Sequence, residues 1–189
     1  MTNHHAATVG SSPGAASVRE PGIPARSECD QKVWRQPSPF GDVTVVVSPR
    51  GVREISLPGD DQPDAEPGAP DPRLKRQLDD WFAGKRHAFD VELDLDGVDG
   101  FRRTVLETLA RDVGWGEIVT YGELAGMAGR PRAARAVGSA MRGNPLPFVI
   151  PCHRVVAAGG RIGGYGGGRN AVALKRRLLE REGVTGLRA

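Results

Sequence analysis

Cys152, His153 and Arg154 stand in consecutive positions directly after the run GNPLPFVIP. Prolines at 145, 147 and 151 exclude a helix there, while Phe148, Val149 and Ile150 are apolar enough to be buried. Cys152 therefore falls where a buried strand or turn ends. A free cysteine is commonly just a small buried hydrophobe. Here a histidine and an arginine adjoin the thiol in the most basic part of the chain, a setting that lowers a thiol pKa toward a reactive thiolate. The chemistry on offer is nucleophilic attack by sulfur, although neighbours on a strand point to opposite faces and adjacency alone does not prove contact.

A carboxylate to orient the histidine can be sought by helical period. In AVALKRRLLEREG, Leu174 and Leu178 recur every four residues and Glu182 is the next member of that row. A carboxylate on an apolar face needs a partner; the bland alternative is a helix end fraying into solvent. Between Cys152 and this helix, AAGGRIGGYGGGRN places seven glycines around Tyr165. It matches neither nucleotide-binding glycine spacing, GxGxxG or GxxxxGK[ST]. Such a loop can admit close backbone approach and a stacked planar ligand, or it can be plain surface.

The elements that must position these residues follow from periodicity. Residues 1–30, rich in Ala, Gly, Ser and Pro, show no amphipathic period and read as a disordered tail. Val43, Val45 and Val47 share one side of an extended segment, and the turn Ser48-Pro49-Arg50-Gly51 leads into a second strand, which predicts a hairpin. The stretch from Pro58 to Pro72 holds five prolines and five acids and reads as a solvated loop. Leu74, Leu78, Trp81 and Phe82 predict an amphipathic helix ended by Gly84. AFDVELDLD alternates Phe89, Val91, Leu93 and Leu95 against Asp90, Glu92, Asp94 and Asp96, the pattern of a half-buried strand with an acidic outer face. Downstream, Val105, Leu106, Leu109 and Val113 form a helical stripe broken by Gly114 and Gly116. A short helix N-capped by Thr120 comes next, then the basic turn GRPR and a helix burying Val137, Ala140 and Met141. Two short helices around a basic turn have helix-turn-helix spacing. Arg130, Arg132, Arg135 and Arg142 lie in the turn or the second helix.

Composition bounds the possible partners. The chain has 189 residues, 39% apolar and 26% charged, and no apolar run long enough to span a membrane. Its first residues lack the apolar stretch of a secretory signal, which predicts a cytoplasmic protein. Two cysteines, Cys29 and Cys152, build no disulfide framework. The net charge of +3 conceals a division: residues 1–100 hold 11 Lys/Arg and 17 Asp/Glu, a net −6, whereas residues 101–189 hold 15 and 6, a net +9. A basic second half suits a polyanion.

The string IPCHRV, preceded by RAVGSAMRGNP and followed by GGYGGG and LLEREG, resembles the O6-alkylguanine-DNA alkyltransferases. The likeness is dense from about Phe101 to Gly183 and looser from about Pro39 onward. It implies an α+β protein: an RNase H-like N-terminal α/β domain at 31–98, and at 99–189 a winged helix-turn-helix-like helical domain that binds DNA and transfers the alkyl group. The implied activity is DNA repair by stoichiometric, irreversible transfer of an alkyl group from O6-alkylguanine in duplex DNA to Cys152 after base flipping, with O4-alkylthymine a further candidate lesion. In that scheme His153 takes the thiol proton through a water, Glu182 holds His153, and Asn144 braces the turn before the active-site strand. Tyr121 bonds the guanine edge and Arg135 fills the gap left by the flipped base. Tyr165 and Met141 wall the pocket, and the backbones of Val155 and Cys152 read the guanine amine. Ala134, Gly138, Arg102 and Arg132 complete the implied DNA-binding set. Many relatives carry serine where this chain has Gly166, which keeps a backbone N–H near O6 but loses a hydroxyl.

No cofactor is implied, and the protein is expected to act as a monomer on damaged duplex DNA. Some relatives hold a structural zinc. His4, His5, Cys29 and His87 could supply ligands, but they are scattered and the first two lie in the expected tail, which argues against a site. Two other readings stand beside repair: a lesion-binding relative that transfers nothing, and a cysteine hydrolase using Cys152, His153 and Glu182 as a triad.

Overall fold

The computed structural model describes residues 31–61, 63, 67–165 and 171–188. The expected tail, and with it His4, His5 and Cys29, lies outside the described residues. Three strands, β1 (Lys32–Gln36), β2 (Val43–Ser48) and β3 (Gly51–Ser56), form an antiparallel sheet in that order. The expected hairpin is β2–β3. Gly51 at its turn has φ 136°, and a Cβ there would sit 2.3 Å from the Glu92 carbonyl oxygen, so glycine alone permits the next segment to approach. A bulge between Val46 and Val47 interrupts the alternation in β2, so that Val46 is buried and Val47 only half-buried. Strand β1 had no sequence signal because its burial does not alternate: Val33, Trp34 and Gln36 are all buried.

The segment expected as a strand at 89–96 is reduced to one parallel bridge, Val52 with Leu93. Val52 N–H donates to the Glu92 carbonyl at 2.9 Å and Asp94 N–H to the Val52 carbonyl at 2.8 Å. Nor is its acidic face wholly solvated, since the Asp94 side chain is only 2% exposed. Ser48 Oγ donates to it at 2.6 Å, and Arg50 and Arg53 lie 3.1 and 3.4 Å away. Burial pushes its pKa up, but the Ser48 hydroxyl, the Asp96 N–H and the Arg50 guanidinium outweigh that and hold the carboxyl below its ordinary range.

Helix α1 (Pro72–Phe82) starts where Asp71 accepts from the N–H groups of Arg73 and Leu74, with proline at its first position. Leu74, Leu78, Trp81 and Phe82 face inward as the spacing requires, and Gly84 at φ 73° follows the end. Helix α2 (Gly100–Asp112) buries Val105, Leu106 and Leu109. Helices α3 (Tyr121–Met127) and α4 (Ala134–Arg142) form the expected helix-turn-helix. Thr120 and Glu123 make a reciprocal capping box at the start of α3. Strand β4 (Val119–Thr120) pairs in parallel with β5 (Val155–Val156), and α5 (Ala171–Arg181) follows.

One apolar cluster runs from the sheet through α1 into α2, α3 and α4. Trp81 sits at its centre, with ring centroids 5.4 Å from Phe82, 5.2 Å from Phe148 and 5.9 Å from Trp115. The sheet is also tied to the active-site approach by Ile55 N–H, which donates to the Pro145 carbonyl at 2.8 Å. No described helix is long and apolar enough to cross a membrane.

Candidate active site

Five residues after α4, a buried turn sets the nucleophile's position. Phe148 adopts φ 72°, a conformation disfavoured for a side chain of its size. Its ring, locked between Trp81 and Phe82, holds it there. Asn144 spans the same turn: its Nδ2 donates to the Ile150 carbonyl at 2.9 Å and its Oδ1 accepts from Leu146 N–H at 3.0 Å. Both bonds lie within the turn and hold its two ends together. The chain then enters a 3-10 turn, Cys152–Arg154, and passes into β5.

Cys152 is 6% exposed and lines a cavity of ≈ 590 Å³ with Tyr121, Arg135, Gly138, Met141 and Tyr165. His153 is fully buried and places Nε2 2.9 Å from Glu182 Oε1. A carboxylate at Nε2 fixes the tautomer with its proton there and leaves Nδ1 as the basic nitrogen. Nδ1 has no hydrogen-bond partner among the described residues. Burial lowers the His153 pKa more than Glu182 raises it, so the resting ring is neutral.

Glu182 is buried rather than frayed. Arg154 Nε donates to Oε2 at 2.8 Å and Nη2 to Oε1 at 2.9 Å, a bidentate pair, and Arg154 Nη1 also donates to the Val113 carbonyl at 2.7 Å. Burial pushes the carboxyl up, but the His153 and Arg154 hydrogen bonds more than reverse it and lower its pKa to about 2. This corrects the expectation that Arg154 and His153 activate the thiol as neighbouring charges: Arg154 is committed to Glu182. Burial instead raises the Cys152 pKa, only partly countered by Asn144, Tyr165 and Lys175. The resting site holds a thiol, and activation requires proton removal.

Lys175 is a buried cation beside the site that sequence reasoning missed. It is fully buried, with Nζ donating to the Val155 carbonyl at 2.6 Å and the Gly164 carbonyl at 3.0 Å. Burial lowers its pKa to about 8. The inward stripe of α5 is Lys175, Leu178 and Leu179, continued by Glu182. The spacing i, i+3, i+4, i+7 was present in the sequence and the charge concealed it.

The other expected residues divide. Tyr121 is half-buried, with its hydroxyl donating to the Gly164 carbonyl at 3.3 Å. Burial raises its pKa, which keeps the phenol protonated. Tyr165 is buried, with its hydroxyl near the sulfur but in no hydrogen bond of good geometry. Val155 does not line the cavity, and Lys175 occupies one acceptor position of its carbonyl. Ala134 opens α4, and Arg132 is exposed in the turn before it. Arg102, expected at DNA, is exposed and donates to the Gly143 carbonyl at the C-terminus of α4. Gly166 lies outside the described residues. No group of His, Cys, Asp and Glu residues that could hold a metal ion occurs among the described residues, and His87 stacks on Trp115 at 4.4 Å.

Residues 100–184 match the family model described as 6-O-methylguanine DNA methyltransferase, DNA binding domain. The human methylated-DNA–protein-cysteine methyltransferase is 37% identical over 175 residues, with 82% of each chain covered. The Mycobacterium bovis protein of the same name is 50% identical over 106 residues, 56% of this chain and 61% of that one. Among solved structures, Mycobacterium tuberculosis O6-methylguanine methyltransferase superposes with a TM-score of 0.70 at 35% identity, covering 80% of this chain and 92% of that one. The same mycobacterial protein has been crystallised in complex with DNA, and that structure superposes equally well at 37% identity over the same coverage. Likeness to the human protein over four-fifths of both chains, together with a buried cysteine and a helix-turn-helix that meet at one cavity, shows that this chain belongs to the methylated-DNA–protein-cysteine methyltransferase family.

Proposed function

We propose that this chain repairs O6-methylguanine in duplex DNA by moving the methyl group onto Cys152, once per molecule. The observation that carries the reading is the single cavity in which Cys152, Tyr121, Met141 and Tyr165 meet Arg135 of the helix-turn-helix. A methyl on guanine O6 is within reach only when the base leaves the stack, which costs a few kcal/mol. Helix α4 enters the groove, Ala134 and Gly138 allow close approach, Arg132 holds phosphate, and Arg135 fills the vacated space. The division of labour follows the chain: residues 31–98 are scaffold and residues 99–189 bind DNA and react.

In the transfer step His153 Nδ1 takes the thiol proton through a bridging water, and Glu182 stabilises the imidazolium. The Cys152 sulfur then attacks the methyl carbon: the S–C bond forms, the C–O6 bond breaks, and its electron pair stays on guanine. Tyr121 donates a proton to the departing base and is reprotonated from the imidazolium side, so the thiol proton leaves with neutral guanine. The thioether left behind has no hydrolysable acyl group, so the protein is consumed. Neither a metal nor another cofactor enters this step.

Mass spectrometry after mixing with O6-methylguanine duplex tests this directly. One methyl on the peptide carrying Cys152, with stoichiometric loss of the lesion, is the expected result. An unmodified protein that still binds the duplex would make the chain a lesion sensor, and multiple turnovers on an ester or peptide would make it a hydrolase. Cys152→Ala abolishes transfer and leaves duplex binding nearly intact, because the thiol supplies little of the interface.

A further inference from the structure

A cavity of ≈ 660 Å³ lies away from the nucleophile and shares no lining residue with the one that holds Cys152. Its volume is that of a small-molecule pocket, about 300–1,000 Å³. One wall is the apolar row whose alternation predicted a strand. Leu95 of that row reaches the core, but Phe89, Val91 and Leu93 are only half-buried and line this space. Trp81, Trp115 and Phe148 add further rings. His87 lies flat on Trp115, with centroids 4.4 Å apart and planes 16° from parallel, so the cavity wall already holds one planar ring in stacking contact.

Arg154 is the buried polar group on this wall, its side chain 6% exposed. A guanidinium carries five N–H donors. Nε and one N–H of Nη2 are engaged by Glu182, and one N–H of Nη1 by the Val113 carbonyl. The second N–H of Nη1 and of Nη2 meets no acceptor among the described residues, and a buried donor left so is costly. An acceptor in the cavity would satisfy it. That acceptor should be uncharged: Glu182 already matches Arg154, and Asp112 pairs with Arg111 at the rim at 2.6 Å. A carboxylate would enter beside Glu182 with neither guanidinium left to match it. We infer that this cavity binds a planar, uncharged aromatic molecule bearing a carbonyl, an aryl amide or a ring lactam. Its ring lies among Trp81, Phe89 and Trp115, and its oxygen accepts from Arg154. The inference goes beyond the repair reading and does not depend on it. The site nevertheless stands behind the histidine, because the guanidinium that holds the ligand also donates to Glu182 Oε1, the oxygen facing His153.

The full chain, labelled for nitrogen NMR, is titrated with 2-naphthamide and with 2-naphthoate, which share a ring system and differ in charge. With 2-naphthamide the indole N–H signals of Trp81 and Trp115 and the Nε–H signal of Arg154 are expected to move and saturate. The indole signal of Trp34, which lies in β1 and outside the cavity, should stay in place. 2-Naphthoate is expected to bind about tenfold more weakly or worse, since its charge is desolvated without a partner. Ala110 lines the cavity, and Ala110→Phe fills it with a ring, so 2-naphthamide should lose about tenfold or more in affinity. Still indole signals, or binding that Ala110→Phe leaves unchanged, overturn the site. Moving indoles with a still Arg154 signal overturn the carbonyl contact, and 2-naphthoate binding as tightly as the amide overturns the uncharged ligand. The indole, Arg154 and charge readings are made on the wild type, so they decide the matter even if Ala110→Phe does not fold.

Discussion

At the scale of single residues, the proposed transfer depends on where one carboxylate stands. Glu182 accepts from His153 and twice from Arg154 in a buried site. Glu182→Gln keeps the shape but removes the charge that stabilises the imidazolium and leaves Arg154 poorly compensated. Single-turnover transfer is expected to slow by about a hundredfold, the lower end of what a positioned base contributes. Because the carboxyl pKa is lowered to about 2 in the folded protein from its ordinary 4.5, its stabilisation is complete above pH 4.5 and is lost as pH falls from there toward 2. Urea titrations across that window should show a smaller loss in Glu182→Gln than in the wild type, the remainder belonging to other lowered carboxyls such as Asp94. The sequence made this carboxylate visible through its place on an apolar helical row. It could not show that Arg154 turns to Glu182 rather than to the thiol, because the direction of a side chain in a 3-10 turn depends on packing that no local period reports. Lys175 was hidden for a related reason: a buried cation is legible only through the two carbonyls that receive it, and these come from β5 and the glycine-rich loop.

At the scale of elements, the helix-turn-helix was legible because small residues, caps and glycine stops agree locally. The capping box at Thr120 starts α3 and so positions Tyr121, the first residue of that helix, opposite the nucleophile. Thr120→Ala should cost about 1 kcal/mol in urea unfolding. Transfer should also slow as the phenol loses its register. In the proposed reaction Arg135 on α4 serves the duplex and not the chemistry. Arg135→Ala should therefore weaken transfer from duplex strongly and transfer from the free base much less, since only the duplex demands extrusion. Equal losses on both substrates would contradict that role. Pairing between β4 and β5 escaped sequence reading because two residues carry no period. The strand expected at 89–96 failed for the opposite reason. Its alternation was clear, but Ser48, Arg50 and Arg53 draw one of its acids inward, leaving a single bridge where a ladder was expected.

At the scale of the whole molecule, the acidic and basic halves share one core, and Trp81 connects them. It lies in the N-terminal helix α1, yet its ring contacts Phe148 of the active-site turn and Trp115 after α2, with the His153 ring centroid 6.3 Å away. Arg181, at the end of α5, donates to the carbonyls of Trp81 and Phe82 and so binds the helix preceding Glu182 to the same tryptophan. Trp81→Ala opens a cavity under both the strained Phe148 backbone and the His153 ring, and large-to-small replacements of this kind cost about 3–5 kcal/mol. If the two halves were independent, such a change would unfold the N-terminal part alone and leave transfer by the remainder intact. With a shared core, fluorescence of the remaining tryptophans and circular dichroism should report one coincident urea transition, displaced to lower denaturant. Transfer should fall even in denaturant-free buffer where the variant is still folded, because Phe148 no longer fixes the turn that aims Cys152. Two separated transitions, or unchanged transfer from the folded variant, would mean that the sheet and α1 merely accompany a self-sufficient reactive half.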